Sequence, residues 1–304
     1  MSFTSTLKNE LVNIKATKIE EISELAGFLN VLATVNGSIK LTTENVSVAK
    51  RVFNLVKRIY QINCKITIRK GYGFTKKYTY MLEIPDKKIL EDLGVDLKSF
   101  QKEPARFIIE DEELKQAYLR GIFFANGSLN DPKKTSYHLE FVFQNKNYAN
   151  FIKRLLNEFS LNAKILKREQ KYMVYIKEAE KISDFLKIIS ASGALFYFED
   201  IRIYRDHKNM TNRLNNCEQA NVDRVITTSD KQISAIKKIM DEKLYDALDE
   251  KLKVIVDYRL KYPDASLNEL TEIITIENNI KLTKSGVYHR MKKIENLATK
   301  IKNS

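Results

Sequence analysis

Residues 118–129 read Tyr-Leu-Arg-Gly-Ile-Phe-Phe-Ala-Asn-Gly-Ser-Leu and give the first indication of the fold. The run is apolar enough for a buried helix, and its Asn-Gly pair is typical of the chain reversal at a helix end. A similar ending, Asn-Gly-Ser-Ile at residues 36–39, follows the apolar run of residues 25–35. The two Asn-Gly pairs lie 90 positions apart, so the sequence predicts an internal repeat.

The segments that follow each Asn-Gly pair occur in the same order. An apolar stripe at helical spacing comes first, at residues 49–59 and again at 151–159. Ile-Asn-Cys-Lys-Ile at residues 62–66 is then matched by Leu-Asn-Ala-Lys-Ile at 161–165, and two alternating segments and a helix follow each. Each copy is therefore predicted to run helix, two strands, helix, two strands, helix. Because neither sheet can bury both faces alone, the copies are predicted to pack about a pseudo-two-fold axis in one α+β domain.

The two apolar helices resemble the signature helices of the LAGLIDADG homing endonucleases. Residues 118–129 carry the stronger match. The first copy begins like the signature at residues 25–29 (Leu-Ala-Gly-Phe-Leu) and ends like it at 35–39 (Val-Asn-Gly-Ser-Ile), with four additional residues in between. The resemblance implies two helices packed along the pseudo-two-fold through small residues, and paired sheets that form a saddle over DNA. It also implies an acid before the terminal Gly of each helix, which binds the metal ions that cleave DNA.

The acids that this resemblance implies are absent. Asn36 and Asn126 stand before the terminal Gly, and Thr34 and Phe124 stand at the earlier acidic position. A neutral amide cannot replace a carboxylate in holding a hard divalent cation. We therefore expect no catalytic residue, no metal site and no cofactor, and a structural turn at each Asn-Gly pair. The alternative is a working endonuclease whose metal is held by other acids that approach these positions in space.

From residue 251 onward the pattern indicates helices alone. Apolar residues at helical spacing predict a helix that ends near the Tyr-Pro-Asp of residues 262–264. Ser266 and Glu269 have the spacing of a capping box, which predicts the start of a second helix. A third helix is predicted after the polar Asn-Asn turn at residues 278–279.

The last of these helices is strongly basic. Residues 281–304 hold seven Lys or Arg and one acid, a net charge of +6. Val287, Met291 and Ile294 recur at helical spacing and are predicted to face the other helices, which leaves the basic side chains outward. A helix, a turn and a basic helix with short polar residues at its start is the arrangement that enters the major groove of DNA in helix-turn-helix proteins. The predicted DNA-binding residues are Lys281, Lys284, Ser285, Tyr288, His289, Arg290, Lys292 and Lys293.

The predicted contacts have two kinds of role. Ser285 and His289, near the helix start, are expected to read base edges, whereas the lysines and Arg290 are expected to hold phosphates and to make binding depend on salt. The alternative is a solvated basic face on a helix that docks a protein.

Two further stretches carry a second resemblance. Residues 211–221 read Thr-Asn-Arg-Leu-Asn-Asn-Cys-Glu-Gln-Ala-Asn, and residues 283–290 read Thr-Lys-Ser-Gly-Val-Tyr-His-Arg. With the duplicated domain before them, they resemble the WhiA family of bacterial sporulation and cell-division regulators, although Tyr288 replaces an Asn of the family pattern. The resemblance implies a non-enzymatic regulator of transcription that binds promoter or chromosomal DNA and influences cell division and chromosome segregation, with other division or transcription proteins as further partners. From the residues alone, 211–221 is interpreted as a hydrogen-bonded linker between the domains.

Length and charge agree with this organisation. The chain of 304 residues is long enough for two domains, and its net charge of +13 indicates a polyanion partner, with double-stranded DNA ahead of a membrane surface. The alternative is a Lys-rich composition inherited from an AT-rich genome. No signal peptide and no membrane span are predicted, and two cysteines are too few for a disulfide framework, so we expect a cytoplasmic, nucleoid-associated protein. The predicted divisions are residues 1–100 and 101–205 for the two repeats, 206–240 for a linker and 241–304 for the helix-turn-helix domain.

Two interpretations of the duplicated domain stay open. Lys65 and Arg69 in the first copy, with Lys164 and Arg168 in the second, suggest a saddle that contacts DNA. The same segments also carry Lys70, Lys76, Lys77, Lys167 and Lys171. Strand alternation sends only about half of these side chains to one face. The other interpretation is a protein-interaction or ligand-sensing module, with DNA contacted by the C-terminal domain alone.

Overall fold

The computed structural model describes residues 2–71, 78–95, 100–134 and 136–301. By its internal contacts the chain divides into two compact units, Met1–Arg205 and Asp206–Ser304. Unit 1 contains the duplicated part of the sequence, and unit 2 contains the C-terminal helices.

The first repeat of unit 1 has the predicted order of helices and strands, preceded by an additional helix. Its elements are α1 (Phe3–Leu11), α2 (Lys18–Leu32), β1 (Thr34–Asn36), β2 (Ser38–Thr43), α3 (Val46–Tyr60), β3 (Lys65–Lys70), β4 (Tyr78–Ile84) and α4 (Lys88–Asp92). The four strands form an antiparallel sheet in the order β1-β2-β4-β3. Lys76 and Lys77, predicted on this sheet, lie outside the described residues.

The second repeat follows a short 3-10 helix (Arg106–Ile109) and has the same order. Its elements are α5 (Glu112–Asn126), β5 (Ser128–Leu129), β6 (Leu139–Phe143), α6 (Lys146–Glu158), β7 (Lys164–Arg168), β8 (Lys171–Ile176) and α7 (Ala179–Ile188). The antiparallel sheet has the order β5-β6-β8-β7, which is the topology of the first sheet. The predicted duplicated α+β architecture is thus confirmed.

The helices that cover the two sheets begin in the same way. Asn45 caps α3 and Asn145 caps α6, and each side-chain oxygen accepts hydrogen bonds from two backbone N–H groups of the first turn. Such a cap satisfies donors that a helix start leaves without partners. The apolar stripes predicted at residues 49–59 and 151–159 then pack on the sheets, so both repeats contribute to one continuous core.

Helices α2 and α5 make the most extensive contact between elements of unit 1, and we call this contact the seam. Each helix has 15 residues, and their N-caps lie 94 positions apart. Gly27 and Gly121 are also 94 positions apart and let the two backbones approach. A Cβ atom on Gly27 would lie 2.5 Å from the carbonyl oxygen of Tyr118, and one on Gly121 would lie 2.0 Å from that of Glu24. The seam therefore requires glycine at both positions, as the resemblance to the signature helices implied.

A cluster of charged side chains is buried beside the seam. Glu24 accepts hydrogen bonds from Nε of Arg51 at 2.9 Å and from Nε of Arg120 at 2.8 Å. Glu24 is 1% exposed, Arg120 3% and Arg51 9%. Because the surroundings are poor in water, the attraction within the cluster is much stronger than at a surface. Glu24 and Arg51 belong to the first repeat and Arg120 to the second, so the cluster joins the two.

Unit 2 is made of helices around a small core of its own. Its elements are the part of α8 (Ser192–Asp241) after Arg205, a 3-10 turn (Tyr245–Ala247), α9 (Glu250–Lys261), α10 (Leu267–Asn278) and α11 (Lys284–Lys300). The capping box predicted at the start of α10 is present, with both of its hydrogen bonds formed. Ile255, Ile274, Val287 and Ile294 are fully buried in this core, which confirms the predicted inward face of the last helix.

The structure corrects the interpretation of residues 206–240 as a linker. These residues are helical and lie within α8, and their sequence contains neither Gly nor Pro to interrupt a helix. Residues 211–221 are exposed along it. Within residues 211–221, the side-chain hydrogen bonds that the structure describes run to partners one turn away on the same helix, as between Asn221 and Cys217, so a hydrogen-bonded loop is not observed there.

Candidate nucleic-acid interface

The position expected for the lost acid of the first repeat was wrong. We predicted it at Asn36, but Asn36 is the last residue of β1, four residues beyond the end of α2 at Leu32. The seam makes Gly27 equivalent to Gly121, and the same offset of 94 makes Leu32 equivalent to Asn126. The matching Asn-Gly-Ser stretches misled the comparison because the first one lies in a strand and its turn, after the helix has ended.

The two Asn-Gly pairs also differ in backbone conformation. Gly37 has a φ of 77° in the tight turn between β1 and β2, whereas Gly127 caps α5 with an extended conformation and a φ of −67°. A left-handed turn at the helix end, predicted for both pairs, is found at neither.

Of the two signature helices, α2 ends at the apolar Leu32 and α5 ends at the amide Asn126. Leu32 offers no oxygen to a cation, and Nδ2 of Asn126 donates a hydrogen bond to the carbonyl oxygen of Val142 at 2.5 Å. Within the described ranges, no group of three or more His, Cys, Asp or Glu is arranged to hold a metal ion. The two helix ends therefore lack the paired carboxylates that hold metal ions between phosphates.

A lysine lies at the end of α5 instead. Nζ of Lys8, on α1, donates a hydrogen bond to the carbonyl oxygen of Phe124 at 3.1 Å and lies 5.5 Å from the centroid of the Phe123 ring. The last carbonyl groups of a helix carry partial negative charge, which an ammonium group neutralises. Burial lowers the pKa of Lys8 to about 8. The sequence pattern did not single out Lys8, because α1 lies outside the repeated elements.

The strand registers show which basic residues share a face of the first sheet. Lys65 pairs with Glu83, and Arg69 pairs with Thr79. The neighbouring pair, Ile66 and Leu82, lies on the opposite face, which is the buried one because Leu82 belongs to the core. Lys65 and Arg69 therefore point away from the core, and both are exposed.

The same holds for the second sheet. Lys164 pairs with Tyr175 and Arg168 with Lys171, in alternation with the buried Val174. We call the outward face of the two sheets the saddle face. Its basic residues are Lys40, Lys65, Arg69, Lys164, Arg168 and Lys171. By contrast, Lys70 and Lys167 alternate to the core side of their sheets. Both are exposed because they lie on the outer strands β3 and β7.

The saddle face also carries acids. Glu83 lies 3.7 Å from Nζ of Lys40, and a hydrogen bond from Ser38 holds the pKa of Glu83 below its usual value. Glu140 is paired with His138 at 3.0 Å. Glu83 also lies opposite Lys65 of the outer strand, so these acids offset part of the positive charge of the saddle face.

Helices α10 and α11 of unit 2 form a helix-turn-helix. Asn279 ends α10 in a left-handed conformation with a φ of 52°, and α11 begins after Thr283, whose hydroxyl oxygen accepts a hydrogen bond from the backbone of Gly286. Glu277, near the end of α10, accepts hydrogen bonds from the hydroxyls of Tyr258 and Tyr262, each at 2.8 Å.

Glu277 also forms an ion pair with Lys261 on α9, at 2.9 Å. These bonds connect α10 to the end of α9, and they hold the pKa of Glu277 at about 2. The helix-turn-helix is thereby fixed to the helix that supports it.

The outward face of α11 carries most of the predicted DNA-binding residues. Seven of the eight are exposed: Lys281, Lys284, Ser285, Tyr288, His289, Lys292 and Lys293. Ser285, His289 and Lys292 lie opposite the buried face along one side of the helix. Arg290 is half-buried beside the core, and Lys293 is paired with Asp249 at 3.6 Å, so these two are less available to a partner.

Comparison with known proteins covers both repeats and the C-terminal helices. Three family profiles match the chain: the WhiA N-terminal LAGLIDADG-like domain at residues 18–96, the WhiA LAGLIDADG-like domain at 115–208 and the WhiA C-terminal HTH domain at 211–298. Proteins named "Probable cell division protein WhiA" from Staphylococcus aureus strains JH9 and Newman are 39% identical to it, over all of this chain and 98% of theirs. The chain belongs to the WhiA family.

Solved WhiA structures share its architecture. The crystal structure of full-length DUF199/WhiA from Thermatoga maritima covers 99% of both chains with a TM-score of 0.61 and 25% sequence identity. The N-terminal LAGLIDADG domain of DUF199/WhiA covers 62% of this chain and 90% of that one, with a TM-score of 0.52 and 25% identity. The WhiA HTH profile begins at residue 211, so it includes the part of α8 that we had interpreted as a linker. No helix in the described part of the chain is both long and apolar enough to cross a membrane.

Proposed function

We propose that the chain is a non-enzymatic, DNA-binding regulator that places α11 in the major groove. The observation that carries this proposal is the exposed polar and basic side of α11 in a helix-turn-helix that the WhiA HTH profile matches. Ser285 and His289, near the start of α11, contact base edges, while Lys281 and Lys292 bind backbone phosphates. The net charge of +13 attracts the chain to nucleic acid in general.

We infer the biological role from the name of the relatives, which describes them as probable cell division proteins. Regulation of transcription during cell division and chromosome segregation, at the nucleoid in the cytoplasm, is the function that we assign to the chain, with double-stranded DNA as the primary partner. Other division or transcription proteins are secondary partners, for which the duplicated domain offers a large surface.

The saddle face is a second candidate for contact with DNA. Six basic side chains point outward from its two sheets, against the two acids Glu83 and Glu140. The competing role for the duplicated domain, a protein-interaction module, predicts instead that these charges do not affect binding to DNA.

Three double variants with equal loss of charge separate these possibilities. Lys281→Ala/Lys292→Ala changes α11 and the turn before it, Lys65→Ala/Lys164→Ala changes the saddle face, and Lys50→Ala/Lys57→Ala changes exposed residues of α3 as a matched control. The measurement is the mobility shift of a mixed-sequence DNA duplex across a salt series.

The change on α11 should lower the slope of log affinity against log salt by about 1.8, because each lost phosphate contact contributes about 0.9. The control should leave the slope unchanged. A reduced slope for the saddle variant as well would place DNA on both units, and an unchanged slope for the α11 variant would refute the recognition helix.

The non-enzymatic part of the proposal rests on Leu32 and Asn126, which stand at the ends of the signature helices. Incubation of the full chain with supercoiled plasmid and magnesium or manganese should leave the plasmid intact. Double-strand cleavage that depends on the protein and stops when a chelator is added would overturn this part and leave the DNA-binding proposal standing.

A further inference from the structure

Unit 2 contains a cavity of about 370 Å³ beside the helix-turn-helix. It lies between one side of α8, the residues that join α9 to α10, and the start of α11. Three cationic side chains line it, Arg224 of α8, Arg259 of α9 and Lys284 of α11, and no Asp or Glu is found among the described residues of its wall. The cavity is therefore positive, and its ligand should be an anion.

The cation at the back of the cavity is built into the fold. Arg259 is 1% exposed, and its Nη1 donates hydrogen bonds to the carbonyl oxygens of Ala265 at 2.6 Å and of Tyr262 and Pro263 at 3.4 Å. Its Nε is buried without a hydrogen-bond partner, and no carboxylate in the described part of the chain pairs with its guanidinium group. A buried charge without a counter-ion is unfavourable, so a bound anion would supply what the protein lacks.

The first turn of α10 provides neutral donors to the same cavity. The capping box uses Ser266 and the backbone N–H of Glu269, but the N–H groups of Leu267 and Asn268 have no acceptor among the described residues. Both residues line the cavity. Unpaired N–H groups at a helix start, together with the positive end of the helix dipole, are well suited to phosphate.

The remaining two cations are available to a ligand. Arg224 and Lys284 are exposed, and neither forms an ion pair with any residue in the described ranges. An arginine and a lysine from two different helices can each contact a different oxygen of one tetrahedral group, with arginine able to bind two.

We propose that this cavity binds a phosphate group, with Arg224 and Lys284 as its direct ligands, the N–H groups of Leu267 and Asn268 beneath it, and Arg259 as a fixed charge behind it. The phosphate comes either from the DNA backbone or from a free phosphate ester. Lys284 is the first residue of α11, so an occupied cavity would order the start of the recognition helix. Only the DNA source rests on the function proposed above.

The first test uses inorganic phosphate as the probe. Thermal unfolding of the full chain is measured in potassium phosphate and in potassium chloride at equal ionic strength. The proteins compared are wild type, Arg224→Gln and a matched control, Lys237→Gln. Lys237 is an exposed cation of α8 that does not line the cavity. Phosphate at tenfold its Kd should raise the midpoint of unit 2 by about 5–10 °C in wild type and in the control. Arg224→Gln should lose this shift, and Arg224→Lys should recover part of it.

The second test identifies the source. If the cavity receives a backbone phosphate, Arg224→Gln lowers the salt slope of DNA binding by about 0.9 relative to Lys237→Gln. If it receives a free ester, the slope is unchanged while the phosphate shift remains specific to Arg224. The inference is overturned if wild type and Arg224→Gln respond equally to phosphate and also bind DNA with equal slopes. Because the phosphate test involves no DNA, it gives the same answer whether or not α11 proves to be the recognition helix.

Discussion

Replacement of Glu24 by Gln should destabilise unit 1 far more than the same replacement one turn earlier, at Glu21. Both acids are on α2, and they are 1% and 4% exposed. Glu24 is bonded to Arg51 and Arg120, which are themselves buried, whereas the partner of Glu21 is Arg58, whose side chain is 58% exposed. Loss of the Glu24 charge leaves two buried cations without a counter-ion. Loss of the Glu21 charge leaves one cation that water can solvate.

The magnitudes differ enough to measure. Removing one partner of a buried ion pair costs about 3–5 kcal/mol, so we expect a loss in that range for Glu24→Gln. Glu21→Gln should cost less than about 1 kcal/mol, since an ion pair with an exposed partner contributes little and burial already raises the pKa of Glu21. Hydrogen exchange of the α2 and α5 amides, read by mass spectrometry at pH 7, gives the opening free energy of the seam in each variant. Equal losses for the two variants, or a loss below about 1 kcal/mol for Glu24→Gln, would refute the reasoning.

Three more predictions follow from contacts described above. Gly121→Ala should cost about 3 kcal/mol in urea unfolding because its Cβ would meet backbone at 2.0 Å, while Gly193→Ala, whose Cβ meets only the flexible Glu10 carboxylate at 3.2 Å, should be close to neutral. Lys8 keeps its proton in the unfolded chain up to about pH 10.5 but loses it near pH 8 in the folded one. The free energy of unfolding of wild type relative to Lys8→Met should therefore rise between these values by at most about 1.4 kcal/mol per pH unit, and a flat difference between pH 7 and 10 would contradict the burial of its charge. Glu277→Gln should lower the melting temperature of unit 2 above pH 4.5, with a difference from wild type that disappears as the pH falls through about 2, and circular dichroism melts across this range provide the check.

Much of the fold was readable from the sequence because it depends on local patterns. The order of elements follows from apolar periodicity, and the capping box at Ser266 and the inward face of α11 follow from residue spacing alone. The register of the first signature helix was not readable, because a matching Asn-Gly-Ser stretch outweighed the helix itself. The approach of Gly27 to Tyr118 and of Gly121 to Glu24 decides that register, and it joins residues far apart in the chain.

The candidate sites divide in the same way. Exposed basic residues on α11 could be predicted, since a helical stripe determines which side chains face outward. Lys8 and the cavity around Arg224 could not, because each depends on side chains from separate helices that meet only in the folded chain. Helix α8 was missed for a different reason. The polar residues of 206–240 resemble a loop in composition, and the absence of Gly and Pro from these residues was the signal that should have favoured a helix.

The ionic cluster beside the seam bears on whether the halves of unit 1 can exist apart. Arg120 of the second repeat finds its charge partner, Glu24, in the first, and each glycine of the seam lies against the backbone of the opposite helix. Either repeat alone would expose an apolar helix, and the second would also leave Arg120 without its charge partner, so we expect either fragment alone to aggregate. Produced together in one cell, the fragments should reassemble into a non-covalent heterodimer, so the duplicated domain is a natural site at which to divide the chain for a split-protein reporter.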